Sequence, residues 1–156
     1  MLTKCETIFD GKLTIGVPED FVELSEQEIG EYYRNEKPSK VFANKDKGAI
    51  LSASLLEQTL EVENVEKRIQ EYAVLYQRSI PNFANCKIAK RPLDNGTYIG
   101  IFHYTSTTVD KNLFNYIVLA CVDGKEALIT MHCDINDCPA YAEKFMKAIN
   151  SICVNE

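Results

Sequence analysis

The chain has 156 residues, a formal net charge of −6 at pH 7 and an apolar fraction of 46%. That length reads as a single domain, 1–156, able to bury a core without staples. The acidic balance, with no Lys/Arg-rich run, excludes nonspecific binding of nucleic acid. No apolar run approaches the roughly 20 residues of a membrane span. The N-terminus MLTKCETIFDGKL lacks the apolar stretch of a signal peptide, so a soluble, cytoplasmic protein is expected.

From the N-terminus, Thr3–Phe9 and Lys12–Val17 flank Asp10-Gly11, a strong hairpin signal. Pro18-Glu19-Asp20 ends the second strand. Ser25 and Glu28 have the spacing of a capping box, which predicts a short helix to about Arg34, burying Ile29 and one or both of Tyr32 and Tyr33. Asn35–Pro38 breaks it. Lys40–Asn44 and Ala49–Glu57 form a further hairpin around Lys45–Gly48. Val65, Ile69, Tyr72, Ala73, Tyr76 and Ile80 fall at helical spacing, with Asn64 as N-cap and Pro81 as the stop. Cys86–Pro92 reads as an edge strand, because proline cannot donate to a ladder and Lys87, Lys90 and Arg91 discourage pairing with other chains.

The centre is a three-strand meander from Thr97 to Asp134. Asp123-Gly124 predicts a two-residue turn pairing Val122 with Lys125, Ala120 with Ala127, Val118 with Ile129, Tyr116 with Met131 and Phe114 with Cys133. A three-residue loop at Asp110-Lys111-Asn112 then adds Tyr98, Gly100, Phe102 and Tyr104 to that same apolar face. The opposite face is mixed, and its polar end gathers Thr105, Thr107, Asn115, Thr130 and His132. His103 falls on this face too. Asp137-Cys138-Pro139 opens a last helix whose stripe is Tyr141, Phe145, Ala148, Ile149 and Ile152. The fold class that follows is α+β: a twisted antiparallel sheet of six to seven strands with helices on both faces.

Several stretches carry a further likeness: Leu13–Phe21 as a strand followed by Pro-x-x-aromatic, the Asn95-Gly96 to Tyr104 strand, and the last hairpin leading into Tyr141-x3-Phe145-x3-Ile149-x2-Ile152. In these the chain resembles the PsbP-like superfold, which includes a Ran-binding nuclear import factor and the bacterial DcrB-like proteins. The resemblance implies an α/β/α sandwich with no shared catalytic residues. It also implies a binding, adaptor or assembly role, some DcrB-like proteins being chaperones for membrane-destined segments of secreted effectors. Bacterial members often carry a lipoprotein signal, which is not seen here.

Candidate chemistry is sparse. The six cysteines (5, 86, 121, 133, 138 and 153) are expected to be free thiols, most of them small buried hydrophobes. Cys121 and Cys133 face opposite ways. Cys138 at a helix start has the setting of a reactive thiol. His132-Cys133-Asp134 lacks zinc-ligand spacing, and alternation turns His132 and Cys133 apart, so no metal or other cofactor is expected. The polar patch of Thr105, Thr107, Asn115, Thr130 and His132 is the candidate groove for a ligand or partner. The expectation is a non-catalytic module for a protein or peptide, chaperone-like or immunity-type, with a homodimer also open. The alternative is a small enzyme or redox protein using Cys138 or His132.

Overall fold

The computed structural model describes residues 3–33 and 37–155. Its strands are β1 (Thr3–Ile8), β2 (Leu13–Pro18), β3 (Val22–Glu23), β4 (Lys40–Asn44), β5 (Ala49–Thr59), β6 (Ala84–Pro92), β7 (Tyr98–Thr107), β8 (Asn112–Val122), β9 (Lys125–Asp134) and β10 (Cys153–Val154). The helices are α1 (Glu26–Tyr32), α2 (Val65–Ser79) and α3 (Cys138–Asn150). The expected end of the first helix at Arg34 and its break at Asn35 lie outside the described residues.

A seven-stranded antiparallel sheet runs in the order β3-β4-β5-β9-β8-β7-β6, with helices on both faces, as the α+β reading requires. A second sheet, β1-β2-β10, stands apart from it. It packs with α3, so Ile8, Leu13, Ile15 and Val17 share one core with Phe145, Ile149, Val118 and Ile129. On the other face α2 covers Phe102, Tyr104, Ile117 and Leu119. Near the β3 end, α1 brings Ile29 onto Val41, Ala43 and Ile50.

Local chemistry places most of these elements. Asp123 and Gly124 take φ of 53° and 74°, the left-handed pair that a tight turn between twisted strands needs, and Val122 pairs with Lys125. Every β8–β9 pair has the predicted register. At α1 the capping box forms: the Glu28 N–H donates to Ser25 Oγ at 3.2 Å and the Ser25 N–H to Glu28 Oε1 at 3.1 Å. Tyr33 is half-buried and Tyr32 exposed. Pro139 occupies the first turn of α3, and Tyr141, Phe145, Ala148 and Ile149 are buried. β6 is one edge strand of the sheet, β3 being the other, and Pro92 stands at its end.

Four expectations are corrected. The loop between β7 and β8 is Thr108–Lys111, closed by Thr107 opposite Asn112 and by the Thr108 N–H donating to Lys111 O at 2.8 Å. This shifts β7 by three residues against β8, so Phe102 pairs with Ile117 where the shorter loop would have paired it with Ala120, and because the shift is odd its whole alternation changes sides. Tyr98, Phe102 and Tyr104 therefore belong to the α2 layer, and Ile99 and Ile101 to the α3 layer. The mixed face is thus covered at its apolar end by α2 itself. Asn64 begins α2, but its side chain caps nothing, because a 3-10 turn over Val62–Asn64 feeds the helix and its own backbone supplies the bonds. All six cysteines are free, but only Cys133 is buried; Cys5 and Cys153 are exposed. Cys121 and Cys133 do lie in different layers.

Candidate functional site

Among the described residues, the α2 face of the sheet is roofed from both ends but not in the middle. Between α1 and α2, side chains of β5 and β9 floor a cleft of about 840 Å³. Ser52, Ser54, Leu128 and Thr130 point into it, because β5 pairs Ser52 with Thr130 and Ser54 with Leu128. Ser52 Oγ and Thr130 Oγ1 share a hydrogen bond of 2.6 Å. Tyr33 forms one wall, Tyr72 and Tyr76 the other. Tyr76 is held edge-on by Tyr72, Phe102 and Tyr104 at 5.6–6.3 Å between ring centres. Burial raises the phenols of Tyr33 and Tyr76 above their ordinary value, so both are neutral donors at pH 7.

The cleft continues past a bulge in β5 between Leu55 and Thr59. There a second hollow of about 460 Å³ is lined by Arg68, Glu71 and Leu75, with Gln58 and Tyr72 common to both. Beside it lies Glu126, whose side chain is fully buried. Arg68 ion-pairs with its Oε1, and Tyr72 Oη donates to its Oε2 at 2.7 Å. The Gln58 amide, turned with its NH₂ inward, donates to both carboxylate oxygens at 3.0 and 3.3 Å. A buried carboxylate persists only when its lone pairs are so occupied. The cluster ties α2, the β5 bulge and β9 together at the end of the cleft.

Sequence reasoning missed Glu126. The signal was present: Glu126 has the phase of Leu128 and Thr130 on a strand covered on both faces, and Arg68 and Tyr72 lie one turn apart on the helix above.

The five expected patch residues divide between the faces. Thr130 lines the cleft. Asn115 is buried on the same face, where its Nδ2 donates to Ser106 Oγ at 3.0 Å and Tyr104 O at 3.4 Å, so it serves the sheet. His132, between Asn115 and Ile50, has a buried Nδ1 with no hydrogen-bond partner among the described residues. Burial, aided by the charge of Lys111, holds its pKa down to about 4. The three-residue shift in β7 carries Thr105 and Thr107 to the opposite face, where Thr105 Oγ1 accepts from Asn85 Nδ2 at 3.0 Å and Thr107 donates to Asn112 Oδ1 at 3.1 Å. His103 goes with them, against the rings of Phe114 and Tyr116.

Cys138 packs in the α3 layer, across the sheet from His132. Burial raises its thiol above the ordinary value, opposite to the direction a helix start would give. Among the described residues no group of three or more His, Cys, Asp or Glu is placed to hold a metal ion, and no helix is long and apolar enough to cross a membrane.

No protein-family model matches the chain, and no curated protein matches it in sequence. Solved structures do match its fold over nearly the whole chain. LpqN, involved in cell envelope biogenesis of Mycobacterium tuberculosis, aligns at TM-score 0.64 and 12% identity, covering 98% of this chain and 90% of its own. Cyanobacterial PsbP from Synechocystis sp. PCC 6803 aligns at 0.58 and 13% identity, covering 99% and 94%. The Ran-binding protein Mog1p of Saccharomyces cerevisiae aligns at 0.56 and 12% identity, covering 99% and 96%. The chain therefore has a PsbP-like fold, distantly related in structure to all three. The expectation of a cytoplasmic location is corrected by the same finding: the fold is shared with PsbP and with LpqN, a protein involved in cell envelope biogenesis, and these point away from the cytoplasm.

Proposed function

We propose that the chain is a non-catalytic binding module that seats a segment of a partner protein in the cleft between α1 and α2. The observation that carries this reading is the unroofed strip of sheet itself. It runs from Tyr33 past Thr130 and Leu128 to Gln58 and Arg68, long enough for several residues of a bound chain. Its floor offers hydroxyls and one leucine, and its walls are tyrosines, the amphipathic side chains that protein-binding surfaces favour. The fold is shared with Mog1p, a Ran-binding protein, which adds weight to a binding role. Against the enzyme alternative, the raised thiol of Cys138 and the suppressed basicity of His132 sit on opposite sides of the sheet and form no catalytic pair.

The test is site-specific photo-crosslinking in cells of the source organism. A benzophenone side chain replaces Ser54 on the cleft floor, with Glu19, outside the cleft, as the control position. A discrete protein adduct from Ser54 that is absent from Glu19, and lost when Thr130→Trp fills the cleft, is the expected result. Equal labelling from both positions, or only small-molecule adducts at Ser54, would overturn the reading. An adduct with a second copy of the chain would make the partner the protein itself.

A further inference from the structure

The sheet's other conspicuous opening is its β6 edge. Among the described residues β6 pairs only with β7, and its nine residues are nearly all exposed. Alternation gives the strand two different sides. Ile88, opposite Phe102, turns toward α2, where it is 45% exposed. Between it and the helix lies a hollow of about 310 Å³ lined by Val74, itself 47% exposed, with Phe83 and Cys86, and with no charged side chain. Lys87 and Arg91, opposite His103 and Ile99, turn to the other side.

Charge sharpens the picture. The chain carries −6 overall, yet residues 84–92 hold Lys87, Lys90 and Arg91 and no acid. Lys90, on the α2 side, is paired with Glu66 at 3.0 Å. Arg91 reaches only the neutral Asn150, and Lys87 has no carboxylate partner among the described residues. Two cations four residues apart on one side of an edge strand, about 13 Å from end to end, thus lack counter-ions.

We propose that β6 is a docking edge for an extended segment of another protein in which acidic and apolar residues alternate. Added as an eighth strand, such a segment satisfies the outer backbone groups of β6. Its apolar side chains enter the hollow beside Val74 and Ile88, while its carboxylates meet Lys87 and Arg91 across the strand pair. The same lysine and arginine repel a second copy of β6, so the edge selects an acidic strand over self-pairing. This surface is separate from the α1–α2 cleft, and either reading can fail without the other.

The probe is a capped, fluorescein-labelled nonapeptide of alternating glutamate and valine, titrated with the full chain by fluorescence anisotropy at low salt. Controls are the lysine–valine and glutamate–serine counterparts and a glutamate–valine peptide N-methylated at alternate residues. Saturable binding of the first peptide alone is expected. It should weaken about tenfold with Lys87→Glu plus Arg91→Glu, and comparably with Val74→Asp, both at exposed or edge positions. No saturable binding, equal binding of the N-methylated or lysine–valine peptide, or indifference to both variants would overturn the proposal. So would self-association of the chain that is abolished by Lys87→Glu, since the occupant would then be a second copy.

Discussion

His132 carries a cost that its surroundings do not offset. Free imidazole titrates near 6.5; burial, with Lys111 close by, brings this one to about 4. Between those values the unfolded chain holds a proton that the folded chain refuses. Stability is therefore fully present above pH 6.5 and falls as the pH drops through that interval, by about 3 kcal/mol in full. Asp20 acts lower on the scale. Burial alone would raise its pKa, but hydrogen bonds from Asn44, Lys144 and Tyr141 outweigh this and bring it below 3.8, so the stability it supplies is lost only under stronger acid. The windows do not overlap, and the two residues can be told apart. We expect His132→Leu, which removes both the titration and the orphaned Nδ1, to flatten the loss between pH 6.5 and 4 while leaving the steeper loss below it. Urea midpoints at pH 7, 5.5 and 4.5 check this; a variant whose midpoint falls as the parent's does would move the acid sensitivity elsewhere. The imidazole was visible in the sequence as a polar residue on a strand. Its burial was not, because burial depends on α1 closing over Ile50 next to it.

At the scale of the element, β7 decides which rings meet which helix. Gly100 is the contact point: a Cβ there would stand 2.7 Å from Ile69 Cβ, so the glycine lets α2 lie close on the strand. Gly100→Ala should cost about 1–3 kcal/mol by overpacking, and Ile69→Ala in the same chain should recover part of it. Chemical denaturation of both variants and the double mutant measures the coupling; purely additive losses would mean that the approach of α2 is set elsewhere. The same strand shows where pattern reading stops. The β8–β9 pairing was legible because Asp123-Gly124 dictates its turn. β7 was legible as a strand but not in phase, since Tyr98, Phe102 and Tyr104 on one side and Ile99 and Ile101 on the other are all apolar. A strand buried on both faces gives no alternation to read. Its phase came from the Thr108–Lys111 loop, in which no residue type imposes a length. The resulting three-residue difference in register, being odd, moved Thr105 and Thr107 off the expected patch, and the same covered face concealed Glu126.

For the whole molecule, the seven-stranded sheet with helices on both faces followed from the order of elements, but the second sheet did not. Nothing in Cys153-Val154 marks a strand: two residues are too few for a period, and only the return of the chain beside β2 makes them one. Their closure has chemical reasons. The Asn155 N–H donates to Lys12 O at 2.7 Å, and its Nδ2 donates to Gly11 O at 2.9 Å and Thr14 Oγ1 at 3.0 Å. Ser151 Oγ accepts from the Gly16 N–H at 2.6 Å, anchoring the end of α3 to the middle of β2. The C-terminal residues thus fasten α3 and the first hairpin into one layer, on the side of the large sheet away from the α1–α2 cleft. Deleting residues 153–156 should remove the Asn155 bonds and the β10–β2 pairing but leave Ser151 in place, costing about 2–4 kcal/mol from a few hydrogen bonds at about 1 kcal/mol each. The cleft, built from β5, β9, α1 and α2, loses none of its lining, so the adduct formed from position 54 should persist at temperatures where the shortened chain remains folded. Thermal unfolding of the shortened chain, read beside its crosslinking yield, separates the layers. If the yield falls before the fold does, the α3 layer is shaping the cleft through the sheet, and the two faces cannot be treated as independent parts.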